Sequence, residues 1–170
     1  MSVVSAGILM YAWIDGEVRV FLLHPGGPFF AGKDSWGIPK GVADNGETGD
    51  DLLTVAKREF FEESGITLSG KESFAPLGFV KRSGGKTVYA WALAGSGKEK
   101  FIKSNLFELE WPLKSGSFKT FPEADGGKYF SIPIAGAKIH QYQLPFLDRL
   151  STYLQTQKIT HSIEVQKPLF

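Results

Sequence analysis

Residues 41–66 read GVADNGETGDDLLTVAKREFFEESGI, and the rest of the chain is understood from this stretch. Leu53, Ala56 and Phe60 recur at i, i+3 and i+7, which predicts a helix with one apolar face from about Asp51 to Ser64. Gly65 supplies a left-handed stop. Glu59, Glu62 and Glu63 stand at i, i+3 and i+4, so the same helix carries three carboxylates on one face. Like charges at that spacing repel. A hard divalent cation, Mg²⁺ or Mn²⁺, takes oxygen ligands and would remove the cost. A run of glutamates on a helix is usually a solvated face, but the company argues otherwise. Arg58, Glu59, Glu62, Glu63 and Gly65 keep fixed offsets, a pattern expected by chance about once in a million start positions.

Outward from this stretch the chain alternates strands and turns. Val3 to Ile14 is apolar nearly throughout and predicts a buried strand. Asp15-Gly16 signals a hairpin, and Glu17 to Leu23 is the return strand. His24-Pro25-Gly26-Gly27-Pro28 breaks it, with His24 read as a turn residue, and Phe29 to Ser35 is a loop carrying Lys33. Trp36 to Gly41 is a short strand leading into the polar loop. After the helix, Phe74 to Arg82 and Lys86 to Ala94 form strands around Ser83-Gly84-Gly85. Leu106 to Leu113 reads as a strand, Ser115 to Asp125 as a loop, Lys128 to Ile132 as a short strand and Pro133 to His140 as a short helix. Pro145 opens a last helix on which Leu147, Leu150 and Leu154 share a face. Residues from Gln155 onward read as a tail. This order suits an α+β domain over residues 1–155, with 156–170 as a C-terminal tail.

Composition bounds the function. A length of 170 residues with 42% hydrophobic residues suits one domain with a full core. A net charge of +1 gives no electrostatic case for nucleic acid or an anionic membrane as the main partner. Zero cysteines exclude disulfides, thiolate metal sites and cysteine nucleophiles, and fit a cytoplasmic protein. Met1 to Ile14 lacks the pattern of a signal peptide, and no apolar run approaches the length of a membrane span.

Residues 41–66 resemble the Nudix box, G-x5-E-x7-R-E-U-x-E-E-x-G-U, where U is a bulky aliphatic residue. Gly41 and Glu47 satisfy G-x5-E, but ten residues then separate Glu47 from Arg58 where the box has seven. Counting back from Arg58 places Asp50 at the first acidic position, with three extra residues in the preceding loop. We prefer this alignment, because Asp50 can cap the helix. The resemblance implies an α/β/α sandwich with a central mixed sheet. It implies divalent-metal-dependent hydrolysis of a nucleoside diphosphate linked to another group X. The likeliest X is phosphate or a further nucleotide, with ADP-ribose-like sugars or a non-catalytic nucleotide-binding module as alternatives. It makes Glu59, Glu62 and Glu63 metal ligands, Arg58 the residue that orients Glu59, and a carbonyl near Lys40-Gly41 a further ligand. Some members carry an extra carboxylate ahead of an aromatic strand, acting as metal ligand or base; Glu123 precedes Tyr129-Phe130 in that way. Lys33, Lys40, Lys81 and Arg82 are phosphate-contact candidates or surface charges. Trp36, Tyr89 and Trp91 could stack on a base, or belong to the core or rim.

Overall fold

The computed structural model describes residues 3–44, 48–49 and 51–165, with side chains up to residue 158. The Asp15-Gly16 turn joins β1 (Val4–Ile14) and β2 (Glu17–Pro25) into an antiparallel hairpin with Ile14 opposite Glu17. Both turn residues take positive φ, 53° at Asp15 and 78° at Gly16, which matches the twist of the flanking strands. β5 (Lys86–Ala94) runs parallel along one edge of β1. The other edge of β1 is shared, because β2 takes Tyr11–Ile14 whereas β3 (Lys40–Val42) takes Ser5–Gly7. The segment 36–42 is thus wedged into a fork between β1 and β2, bonding Leu23 through Gly37 and Ile8 through Pro39. The fork closes only because residue 7 is glycine. A Cβ there would lie 2.5 Å from the Pro39 carbonyl oxygen.

β4 (Phe74–Arg82) borders β5 and β8 (Ala124–Ser131) borders β2, giving the order β4-β5-β1-β2-β8 with β3 beside β1. One parallel pair among antiparallel ones makes the sheet mixed. Side chains alternate across it. Ile8 and Phe21 face α1 (Asp51–Ser64), which buries Leu52, Val55, Ala56 and Phe60 against them. Leu9, Val20 and Leu22 pack on the other face with Ala135 of α2 (Ile132–Lys138) and with Phe146, Leu147 and Leu150 of α3 (Leu144–Val165). The domain is an α/β/α sandwich of α+β class, as the sequence implied.

Several expectations are corrected. The apolar stripe of α1 runs through Leu52 rather than Leu53, which is half-buried; one residue is about 100° of helix rotation. One expectation holds: α1 is continuous from Asp51, so the three-residue excess precedes it. Glu47 and the expected Asp50 cap lie outside the described residues. Residues 115–125 are not a plain loop, since they contain β7 (Phe118–Pro122), paired with β6 (Leu106–Glu110) as a two-stranded ribbon. Phe118, Thr120 and Phe121 are strand formers, and positive φ at Lys114 and Gly116 turns the chain between the strands. β6 ends before Trp111-Pro112, because proline has no N–H for a ladder. β8 starts at Ala124, ahead of Lys128. α3 runs on through Val165, so residues 155–165, read as tail, continue the last helix, and no glycine or proline interrupts them.

Candidate active site

The end of α1 lies against β3, and this packing places the glutamates. The Lys40 N–H donates to Glu63 Oε2 at 2.7 Å. Glu59 crosses Gly41 so closely that a Cβ there would stand 2.0 Å from the carboxyl carbon. Arg58 Nη2 donates to Glu59 Oε1 at 3.1 Å and to the Val42 carbonyl at 3.4 Å, and Nη1 is 3.6 Å from Asp44 Oδ2. The guanidinium therefore ties Glu59 to the strand and loop beside it.

Glu62 is linked to Glu123 through one residue. Asn105 Nδ2 donates to Glu62 Oε2 at 3.3 Å, and the Asn105 N–H donates to the Glu62 carbonyl at 3.0 Å. The Asn105 carbonyl in turn accepts the Glu123 N–H at 2.9 Å. From the other side, the Gly26 N–H donates to the Glu123 carbonyl at 2.9 Å. Residue 26 must be small there, since a Cβ would lie 2.0 Å from the Pro122 carbonyl oxygen. Glu123 thus sits at the corner between β7 and β8, with its backbone held on both sides.

The electrostatics follow from crowding carboxylates in a partly dry site. Burial pushes Glu63 up to about 7, against the Lys40 charge and N–H, with Glu59 and Glu123 pushing further upward. Glu59 is raised by burial, against the Arg58 hydrogen bond and charge, with Glu62 and Glu123 adding to the rise. Glu123 is raised by burial and then by Glu62, against Lys40. These mutual repulsions are what a divalent cation would offset, and an all-oxygen donor set fits Mg²⁺ or Mn²⁺. Among the described residues the side chains do not form a ready-made cage of three or more ligands. Their polar ends are engaged instead by Arg58, Lys40 and Asn105.

Glu63, Glu123 and Lys40 line a cleft of about 250 Å³, which also reaches Arg82, His140 and Tyr142. Of the substrate-contact candidates, only Lys40 and Arg82 line it. Lys33 lies outside; its carbonyl meets His24 Nε2 at 2.6 Å and its ammonium is 5.8 Å from the Phe30 ring. Trp36 is a core residue, 8% exposed, edge-on to Phe130 at 4.8 Å and to His24 at 5.2 Å. Its indole N–H donates to Asp34 Oδ1 at 2.7 Å, so no face is left for a base. Tyr89 packs on the α1 side of the sheet, 5.3 Å from Phe79, and Trp91 lies on that side too. Neither ring lines the cleft.

The sequence reading missed His140, Tyr142 and Gln143. The rings of His140 and Tyr142 stack at 5.8 Å and 12°. Gln143 is fully buried, its Oε1 accepting the Ile38 N–H at 3.0 Å and its Nε2 donating to the Tyr142 hydroxyl at 2.9 Å. The one available signal was a polar, aromatic run between two apolar helices. His24 is more than a turn residue. Nδ1 is 2.6 Å from Asp125 Oδ1 and Nε2 is 2.6 Å from the Lys33 carbonyl. Both partners are acceptors, so both bonds are made together only when the ring carries both protons. Its pKa is raised, burial lowering it but the bonds to Lys33 and Asp125 outweighing burial.

No family model matches the chain, and no curated protein does. Solved structures do. An Ap4A hydrolase of C. elegans, solved as a binary complex, aligns over 91% of this chain and 98% of its own, with TM-score 0.61 and 21% identity. The NUDIX domain of Shewanella oneidensis NrtR, solved with ADP ribose, aligns over 91% of this chain and 89% of its own, with TM-score 0.61 and 12% identity. A mutT/nudix family protein from Listeria innocua aligns over 92% and 96%, with TM-score 0.61 and 14% identity. At such identities the likeness is one of fold. The chain has the Nudix fold over nine-tenths of its length.

Proposed function

We propose that the protein is a Mg²⁺- or Mn²⁺-dependent pyrophosphohydrolase whose substrate is a nucleoside triphosphate or a dinucleoside polyphosphate. The observation that carries this reading is the convergence of Glu63 and Glu123, from α1 and the β7–β8 corner, on one cleft beside Lys40. Glu59, Glu62, Glu63 and Glu123 would hold the metal, with a carbonyl of Lys40 or Gly41 beside them. When bound, such an ion neutralises phosphate charge and lowers the pKa of water. The chain's own part is positioning. Arg58 fixes Glu59, the Lys40 N–H fixes Glu63, and Asn105 and Gly26 hold the backbone that presents Glu123. Glu123, its pKa raised, is the candidate to accept the proton of the attacking water.

The C. elegans neighbour is an Ap4A hydrolase, which agrees with a dinucleoside polyphosphate substrate. The NrtR domain was solved with ADP ribose, which keeps a diphosphate sugar as the second reading. The catalytic domain is assigned to residues 1–155 and the place of action to the cytoplasm. Among the described residues no helix is long and apolar enough to cross a membrane. The test is a nucleotide panel with product analysis, run with Mg²⁺, Mn²⁺ and EDTA. Glu62→Gln and Glu63→Gln should each lower turnover at least about 10²-fold with the fold intact. Parent turnover in both variants would show that the acidic face does not serve catalysis. Nucleotide binding without turnover in the parent would favour a non-catalytic module.

A further inference from the structure

The cleft carries positive charge that no ion pair among the described residues takes up. Arg82 lines it, yet among the described residues its side chain makes no hydrogen bond and no ion pair; its guanidinium lies 5.0 Å from the centroid of the Tyr142 ring. In the β4–β5 hairpin Arg82 stands opposite Lys86, and like charges opposed across an antiparallel pair are destabilising. Arg82 is exposed, and what holds its guanidinium over the cleft is the Tyr142 ring rather than an anion. The ring beneath it is fixed, because buried Gln143 holds the Tyr142 hydroxyl and His140 stacks on the ring. Lys40 is a second cation in the same cleft, and its ammonium has no ion-pair partner among the described residues. His140 stands near both, and its pKa is lowered by burial and then by Lys40 and Arg82. The cleft thus pairs a carboxylate end, suited to a metal and the bond to be broken, with two cations that form no ion pair among the described residues.

We propose that Arg82 reads the phosphate chain beyond the scissile anhydride, so that the site selects nucleotides with three or more phosphates over nucleoside-diphosphate sugars. The inference rests on the pyrophosphohydrolase reading and deepens it. A guanidinium forks onto two phosphate oxygens at once, and an uncharged sugar offers that fork nothing comparable. Lys40, nearer the glutamates through its backbone bond to Glu63, takes the phosphate next to the metal end.

The experiment compares the parent, Arg82→Gln and Lys86→Gln on ATP, diadenosine tetraphosphate and ADP-ribose with Mg²⁺. Calorimetry with methylene-bridged, non-hydrolysable analogues of the first two measures binding alone. Arg82→Gln should raise KM and Kd for the polyphosphates about 10–100-fold, with kcat within about threefold. The preference for polyphosphate over ADP-ribose should fall at least about tenfold. Lys86→Gln, across the hairpin and outside the cleft, should match the parent. An Arg82→Gln variant that keeps the parent's preference and analogue Kd overturns the inference, even if the parent hydrolyses every substrate. A parent that binds the analogues in an Arg82-dependent way but turns over nothing overturns the hydrolase reading and keeps the subsite.

Discussion

Gly41→Ala separates the site from the fold. Gly41 does not take positive φ, so alanine meets no backbone strain there. The obstacle is Glu59, whose carboxyl carbon and Oε2 would each lie 2.0 Å from the new Cβ, and Oε1 2.5 Å. Ordinary contact begins near 3.5 Å, so the carboxylate must retreat by roughly 1.5 Å. It can, being the end of a flexible side chain. Retreat breaks the 3.1 Å bond from Arg58, a loss of about 1 kcal/mol for a partly exposed pair. Replacing glycine where the backbone is compatible returns about 0.4–1 kcal/mol through the unfolded state. Stability should therefore change by no more than about 1 kcal/mol, or roughly 2–4 °C in Tm. A catalytic group displaced by about 1 Å costs on the order of 10²-fold in rate. Differential scanning fluorimetry and Mg²⁺-dependent product release on the best substrate measure the two quantities. Parent-rate turnover in Gly41→Ala would refute the claim that this close approach sets Glu59. Gly7→Ala is the counterpart: there the clash is with the Pro39 carbonyl at 2.5 Å. Backbone cannot swing aside, so that variant should lose about 1–3 kcal/mol.

Two further outcomes are expected. Glu123→Gln should lower kcat about 10²–10⁴-fold if the carboxylate is the base, with Tm unchanged; recovery at raised Mn²⁺ would assign it to the metal instead, and no change in either would remove it from the site. His24→Gln should alter the pH dependence of stability. The folded pKa of His24 is raised above 6.5, so its contribution is full below pH 6.5 and is lost as pH rises through the folded value. The parent should therefore lose its margin over the variant on going from pH 6 toward alkaline pH, by chemical denaturation at each pH. A margin independent of pH would mean that the ring is not held as the cation between Asp125 and the Lys33 carbonyl.

What the sequence disclosed were features fixed locally. Asp15-Gly16 and Gly84-Gly85 take positive φ, and the strands end where those turns begin. Gly65, at φ 73°, stops α1 directly after Ser64. The box glutamates were legible because helix geometry alone puts them on one side. Residues whose surroundings depend on which face a strand presents were less so. Trp36, Tyr89 and Trp91 are aromatic residues near the right elements, yet alternation sent Tyr89 and Trp91 toward α1, and packing sealed Trp36 between His24 and Phe130.

The cleft itself depends on a contact that no local pattern encodes. His140 and Tyr142 line it because segment 36–42 splits the β1–β2 pair. Gln143 then reaches the buried backbone of that segment, accepting the Ile38 N–H. The same wedge brings the Lys40 N–H onto Glu63 and the bare Cα of Gly41 against Glu59. One insertion therefore sets the carboxylate end and the aromatic end together. Gly7 permits it by leaving room for the Pro39 carbonyl. This residue lies far from the box in sequence and carries no chemistry, yet a side chain there would press on Pro39 and Lys40, beside the residues that line the cleft.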